Sequence, residues 1–259
     1  MALLESGNPT LSQKIFSRSA SEISTESMTV RGAINKFGFL LLMVIAGAAF
    51  AWQQYYTKLS LADAQQSVTT YMMVGIFGGL ICALAIVFKP NWSPYLAPAY
   101  GVLEGLFLGG ISAILNETFK EKYPGIITQA VGLTFGVAIA MFLLYNFRII
   151  KVTEKFRSVI FSATLGIAIF YLIAWVLRLF HVNLPFMYDA SPLGIGISLF
   201  IIAIAALNLI LDFDMIERGA EMGAPKFMEW YGAFGLLVTM VWLYLEILKL
   251  LARFAGNRR

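Results

Sequence analysis

Residues 193–214 read LGIGISLFIIAIAALNLILDFD, and no side chain from Leu193 to Leu211 carries a charge. A helix needs ~20 such residues, at ~1.5 Å of rise each, to cross the hydrocarbon layer of a membrane. The run ends in Asp212 and Asp214 and passes into Glu217, Arg218 and Glu221. That change of character marks an exit from lipid. Six more segments have the same make-up: 34–54, 69–88, 94–115, 125–146, 157–180 and 227–251. The alternating pattern of a β-barrel is absent, so helices must satisfy the backbone in lipid. The expected fold is all-α, a polytopic membrane protein with seven transmembrane helices.

Composition supports this reading. Of 259 residues, 59% are hydrophobic and 13% charged, and mean hydropathy is +0.77. A soluble domain carries about 25% charge, so this chain could not cover a water-exposed globule. Disorder and coiled coil are excluded on the same grounds. One cysteine (Cys82) and one histidine (His181) exclude a disulfide framework and any Cys- or His-rich metal site. The net charge of +4 sits in clusters at span ends rather than in a basic stripe, so no nucleic-acid partner is expected. No P-loop, dinucleotide or zinc pattern occurs, and no cofactor is expected. No nucleophile–base constellation is visible, so no enzymatic activity is expected.

Residues 1–30 are polar and Ser-rich without the apolar core of a signal peptide, and read as a mobile cytoplasmic tail ahead of a membrane domain at 31–259. Lys and Arg near the spans favour a cytoplasmic N-terminus in a multi-pass protein of the cell membrane. Arg31, Lys36, Lys89, Arg148, Arg157 and Lys226 then lie inside, and only Lys58, Lys120, Lys122 and Arg178 lie in outer loops. The C-terminal Lys249, Arg253, Arg258 and Arg259 oppose this count.

Acids inside the spans carry the functional signal, because each costs ~2.5–3.5 kcal/mol to insert and so faces a protein interior or a wet cavity. Glu104 lies in the third span on a helix with glycines every four residues, Gly101, Gly105 and Gly109. That stripe permits close backbone approach, and Glu104 is expected near the same face. The helix reads either as a cavity wall or as a tightly packed element with a bonded, protonated acid. Asn208 and Asp212 are four residues apart and share the small, polar face of the sixth span, which should look inward. Asp214 lies on another face and continues into Glu217 and Glu221, which suggests a solvated rim. Glu229 and Glu246 lie in the seventh span. An EF-hand is excluded because Glu217 stands where that loop needs glycine. A metal site made of carboxylates from several helices stays open.

Three pieces in this order, Glu104-Gly105 with Leu108-Gly109, Asp212-Phe-Asp-Met-Ile216, and Leu243-Tyr-Leu-Glu-Ile-Leu248, resemble the Bax inhibitor family in its bacterial YccA-like branch, over about residues 28–256. The resemblance implies seven helices with the seventh central and a pH-sensitive calcium leak, calcium or protons being the ions handled. It also implies a gate latch and pH sensor made of one acid in each of the last two helices. Asp212 matches the acid of the sixth helix. The Leu-Tyr-Leu-acid pattern places the partner at Glu246, which is Glu where that position is usually Asp. Counting from a turn near Gly223–Pro225 offsets Glu246 from Asp212 by ~15 Å, and Glu229 by ~10 Å the other way. An irregular segment at 217–230 would remove either offset, so both stay candidates. Two adjacent buried carboxylates share a proton and titrate together. In this scheme the protonated pair closes the path, and Asp214, Glu217 and Glu221 gather cations at its mouth. The alternative is a non-conducting regulator that binds other membrane proteins, such as a membrane protease.

Overall fold

The structure is a computed structural model and describes residues 26–58, 60–182 and 191–257. Among them, seven helices are long and apolar enough to cross a membrane. They are α1 (Val30–Tyr56), α2 (Leu61–Phe88), α3 (Ser93–Phe119), α4 (Ile126–Asn146), α5 (Glu154–Leu179), α6 (Pro192–Glu221) and α7 (Met228–Asn257). A 3-10 turn at Pro90–Trp92 joins α2 to α3, and the described residues contain no strand. Arg258, Arg259 and most of the link between α5 and α6 lie outside the described residues.

Several helices run past the apolar segments, because polar residues can be capped and hydrogen-bonded beyond lipid. α2 starts at Leu61 rather than 69: the Ser60 hydroxyl accepts the Asp63 N–H at 3.1 Å and donates to the Asp63 carboxylate at 2.7 Å. α6 continues to Glu221 and stops where Gly223 turns left-handed (φ 68°). Ala224 N–H then donates to Gly219 O and Gly223 N–H to Ala220 O, a Schellman closure that Pro225 seals.

α4 and α5 close in the same way without glycine. Arg148 (φ 54°) and His181 (φ 59°) take the left-handed position, with Ile149 N–H on Leu144 O and Val182 N–H on Leu177 O. An L side chain there costs roughly 1–2 kcal/mol. The chain's one histidine is therefore a helix terminator. His181→Gly is expected to raise stability by about 0.5–1 kcal/mol once the greater freedom of the unfolded glycine is deducted. Thermal unfolding in mild detergent, with His181→Ala as the strained control, measures it.

α7 is the most enclosed helix. Of its apolar window 67% is buried, against 50% for α6, 17% for α1, α2 and α4, and 11% for α5. Exposed apolar residues such as Phe77, Ile81, Leu172 and Trp175 supply the lipid-facing surface.

The chain divides into two compact units. The first holds α4, α5, α6 as far as Met215 and α7 from Val238. Its core is Ile160, Ile167, Ile201, Ile204 and Leu211. The second holds α1, α2, α3 and Ile216–Leu237, which is the end of α6, the turn and the start of α7. In it the α3 glycines lie against α1. A Cβ on Gly105 would overlap the Val44 carbonyl oxygen, and one on Gly109 the Ala48 carbonyl oxygen. Gly101 packs on Met43 and the Leu40 carbonyl, and Gly47 of α1 meets the Val102 carbonyl in return. This is close packing by small residues in a membrane helix pair.

The last residues of the expected tail at 1–30 are bonded to the α6–α7 turn. Ser27 forms an antiparallel bridge with Pro225, Met28 N–H donates to Ala224 O, and Lys226 N–H donates to Glu26 O. Residues 26–29 are thus held by backbone hydrogen bonds, which composition does not reveal. Residues 1–25 lie outside the described residues.

Candidate functional site

In the first unit, Asn208 and Asp212 occupy one face of α6, one turn apart, and both are fully buried. The Asn208 amide donates to Thr164 Oγ1 of α5 at 2.8 Å and to Ile204 O at 2.9 Å. Its carbonyl oxygen Oδ1 is buried and has no hydrogen-bond partner among the described residues. The inward face expected from the helical spacing is the observed one.

Asp214 departs from expectation. It is buried, 7% exposed, and its Oδ2 lies 2.5 Å from a guanidinium nitrogen of Arg157. Arg157 is 1% exposed and also meets Glu154 at 3.1 Å. The solvated rim is therefore corrected at this position. The cation that buries Asp214 comes from the start of α5, a residue that charge counting assigns to a cytoplasmic flank. Glu217 is half-buried, and only Glu221 is exposed.

Glu246 is 2% exposed and accepts from the Tyr171 hydroxyl of α5 at 2.9 Å and from Lys249 of its own helix at 2.8 Å. Lys249 also lies 4.8 Å from the centre of the Tyr171 ring. The bonded partners of Glu246 among the described residues are thus Tyr171 and Lys249, and Asp212 is not one of them. The irregular run between α6 and α7 is confined to residues 222–227. Asp212 is nine residues from the end of its helix and Glu246 is 18 from the start of its own. That difference of nine residues corresponds to about 14 Å of helical rise.

In the second unit, Glu229 is fully buried. Its Oε1 accepts from Thr29 N–H at 2.8 Å and from the Thr29 hydroxyl at 3.0 Å, while Lys36 binds Oε2. Lys226 lies 3.4 Å from Oε1. The same Lys36 sits 5.5 Å from the centre of the Trp230 ring, and Phe39 packs edge-on against that ring.

Glu104 is half-buried and lies beside Tyr100, one turn earlier on the same helix. Its carboxylate points to α2, where Gly79 leaves room: a Cβ there would lie 3.4 Å from Oε2. The glycine stripe and Glu104 therefore serve different neighbours, α1 and α2. The shared face expected of them is corrected, because three residues along a helix turn a side chain by ~300°, enough to reach the adjacent groove.

Among the described residues no group of three His, Cys, Asp or Glu is placed to hold a metal ion. Each acid instead meets partners of its own, basic for Asp214, Glu229 and Glu246. Several of those partners escaped sequence reasoning, Arg157, Tyr171, Thr29 and Lys36, as did Thr164, the partner of Asn208. One signal was available. Arg157, Ile160, Thr164, Ile167 and Tyr171 recur at alternating spacings of three and four, the inner face of α5.

A family model described as Bax inhibitor 1 like matches residues 8–256 of the chain. Searches of curated proteins and of solved structures find no match.

Proposed function

The chain belongs to the Bax inhibitor family, and from that membership we propose that it is a pH-sensitive cation leak, with calcium as the ion carried, controlled by buried carboxylates of α6 and α7. One observation carries the proposal: Asp212 is fully buried at the end of a long apolar run, one turn from the buried amide of Asn208. A carboxylate so placed is tolerated when it is neutral or paired, and its ionisation draws in water and cations. Protonated, it lets α6 pack against its neighbours. Ionised, it opens a hydrated path, with Asn208 beside it. Glu246 and Asp214 lie against basic partners, Lys249 and Arg157. Opening on ionisation means that flux rises with pH.

The test is calcium entry into liposomes across a pH series. Wild type is expected to show a sigmoidal rise. Asp212→Asn cannot ionise and is expected to give a flat, low flux. Coincident profiles for the two proteins overturn the role of Asp212. Absence of flux in wild type overturns the leak itself and favours a regulator that binds other membrane proteins.

A further inference from the structure

The segment before α1 is fastened to the turn between α6 and α7, and all the parts lie within the second unit. Met28 N–H donates to Ala224 O at 2.7 Å and Lys226 N–H to Glu26 O at 3.1 Å, on either side of the Ser27–Pro225 bridge. The Met28 side chain is 2% exposed. Thr29 then caps α1 by accepting Gly32 N–H at 2.9 Å, and its own N–H and hydroxyl both donate to Glu229. Lys36 reaches the other oxygen of that carboxylate from one turn further along α1. Gly32 is the seat: a Cβ there would overlap Oε1, Oε2 and Cδ of Glu229. A carboxylate at the first turn of a helix also meets the positive end of its dipole.

We propose that residues 26–29 are a strap that restrains the α6–α7 turn, with Glu229 as its clasp. Three donors from the α1 region, joined by Lys226, close on a single buried carboxylate, so the strap has one point of release. The bridge is made by just these two hydrogen bonds, and a two-stranded contact of that size is marginal by itself. The clasp supplies what the ladder lacks. Whatever displaces the Glu229 carboxylate frees the turn from the start of α1. The proposal does not depend on ion conduction.

Hydrogen exchange on the full chain in lipid nanodiscs tests it, together with a cross-link. Ser27 and Pro225 form a non-hydrogen-bonded antiparallel pair, whose Cα separation of ~4.5 Å suits a disulfide. Ser27→Cys with Pro225→Cys, in a Cys82→Ala background, is expected to oxidise readily. Glu229→Gln is expected to lower that yield several-fold and to speed exchange at Met28 and Lys226 about tenfold, the scale of a lost charged hydrogen bond. Gly32→Ala, which displaces the carboxylate without changing charge, is expected to act in the same direction. Exchange at Gly105 and Gly109 in α3 stays as in wild type. If Glu229→Gln does not fold, Gly32→Ala decides alone. Unchanged cross-linking and unchanged exchange at Met28 and Lys226 overturn the proposal, as does acceleration that extends equally to α3.

Discussion

Arg157→Met is expected to destabilise the protein by about 3–5 kcal/mol, the usual cost of removing one partner of a buried ion pair. The guanidinium is 1% exposed and lies 2.5 Å from Asp214, which is itself buried. Without it the Asp214 carboxylate stays inside and loses the guanidinium that meets its Oδ2, and a buried charge stripped of such a partner is costly in a low-dielectric interior. Methionine fills similar volume, so lost packing is a minor part of the effect. The second half of the test is Asp214→Asn added to Arg157→Met. The double variant is expected to regain most of the loss, since a neutral pair of similar shape pays little for burial. Thermal unfolding in detergent gives both numbers and, through the double-mutant cycle, the coupling between the two side chains. Simple addition of the two single effects would show that the ion pair is not the source of the loss.

Gly105→Val is expected to cost about 3 kcal/mol, at the upper end of the usual penalty for overpacking. The first atom added would overlap the Val44 carbonyl oxygen, with Ala48 N and Gly47 Cα each 3.0 Å away. These are backbone atoms of α1, bound into its helix, so they cannot rotate aside as a side chain would. The helices must separate, and the contacts made by Gly101, Gly109 and Gly47 are strained with them. Gly132→Ala in α4 is the control. Nothing lies within 4 Å of a Cβ there, so it is expected to be neutral or stabilising by up to ~1 kcal/mol, the helix preference for alanine. Cys82, the single thiol and half-buried in α2, reports both. A thiol-reactive dye reads its exposure on heating. Equal melting of Gly105→Val and wild type would mean that α1 and α3 do not pack as described.

The candidate residues are legible in the sequence to different degrees. Spacing alone places Asn208 and Asp212 on an inward face, because two polar residues one turn apart in an apolar span have no other low-cost direction. Sequence position alone makes Asp214 a solvated rim residue, because it continues toward Glu217 and Glu221. The residue that buries it is 57 positions away, and its charge is the same whether it snorkels to water or enters the protein. Glu229 and Glu246 were candidates as partners of Asp212. Their bonded neighbours are Thr29, Lys36 and Lys226 for one, Tyr171 and Lys249 for the other. Both Lys36 and Arg157 count as flank charges, and a count of charges near span ends carries no information about which of them turn inward.

The number of spans and the lipid-facing character of the chain followed from the sequence by itself, because hydrophobicity over ~20 residues is a local property that the bilayer reads directly. Helix ends were decided by caps such as Ser60 and the Gly223 closure, one level up but still local. Which acid meets which base was decided only by the tertiary structure. A long side chain at a helix end can reach several neighbours, and only the packing of helices far apart in sequence selects among them.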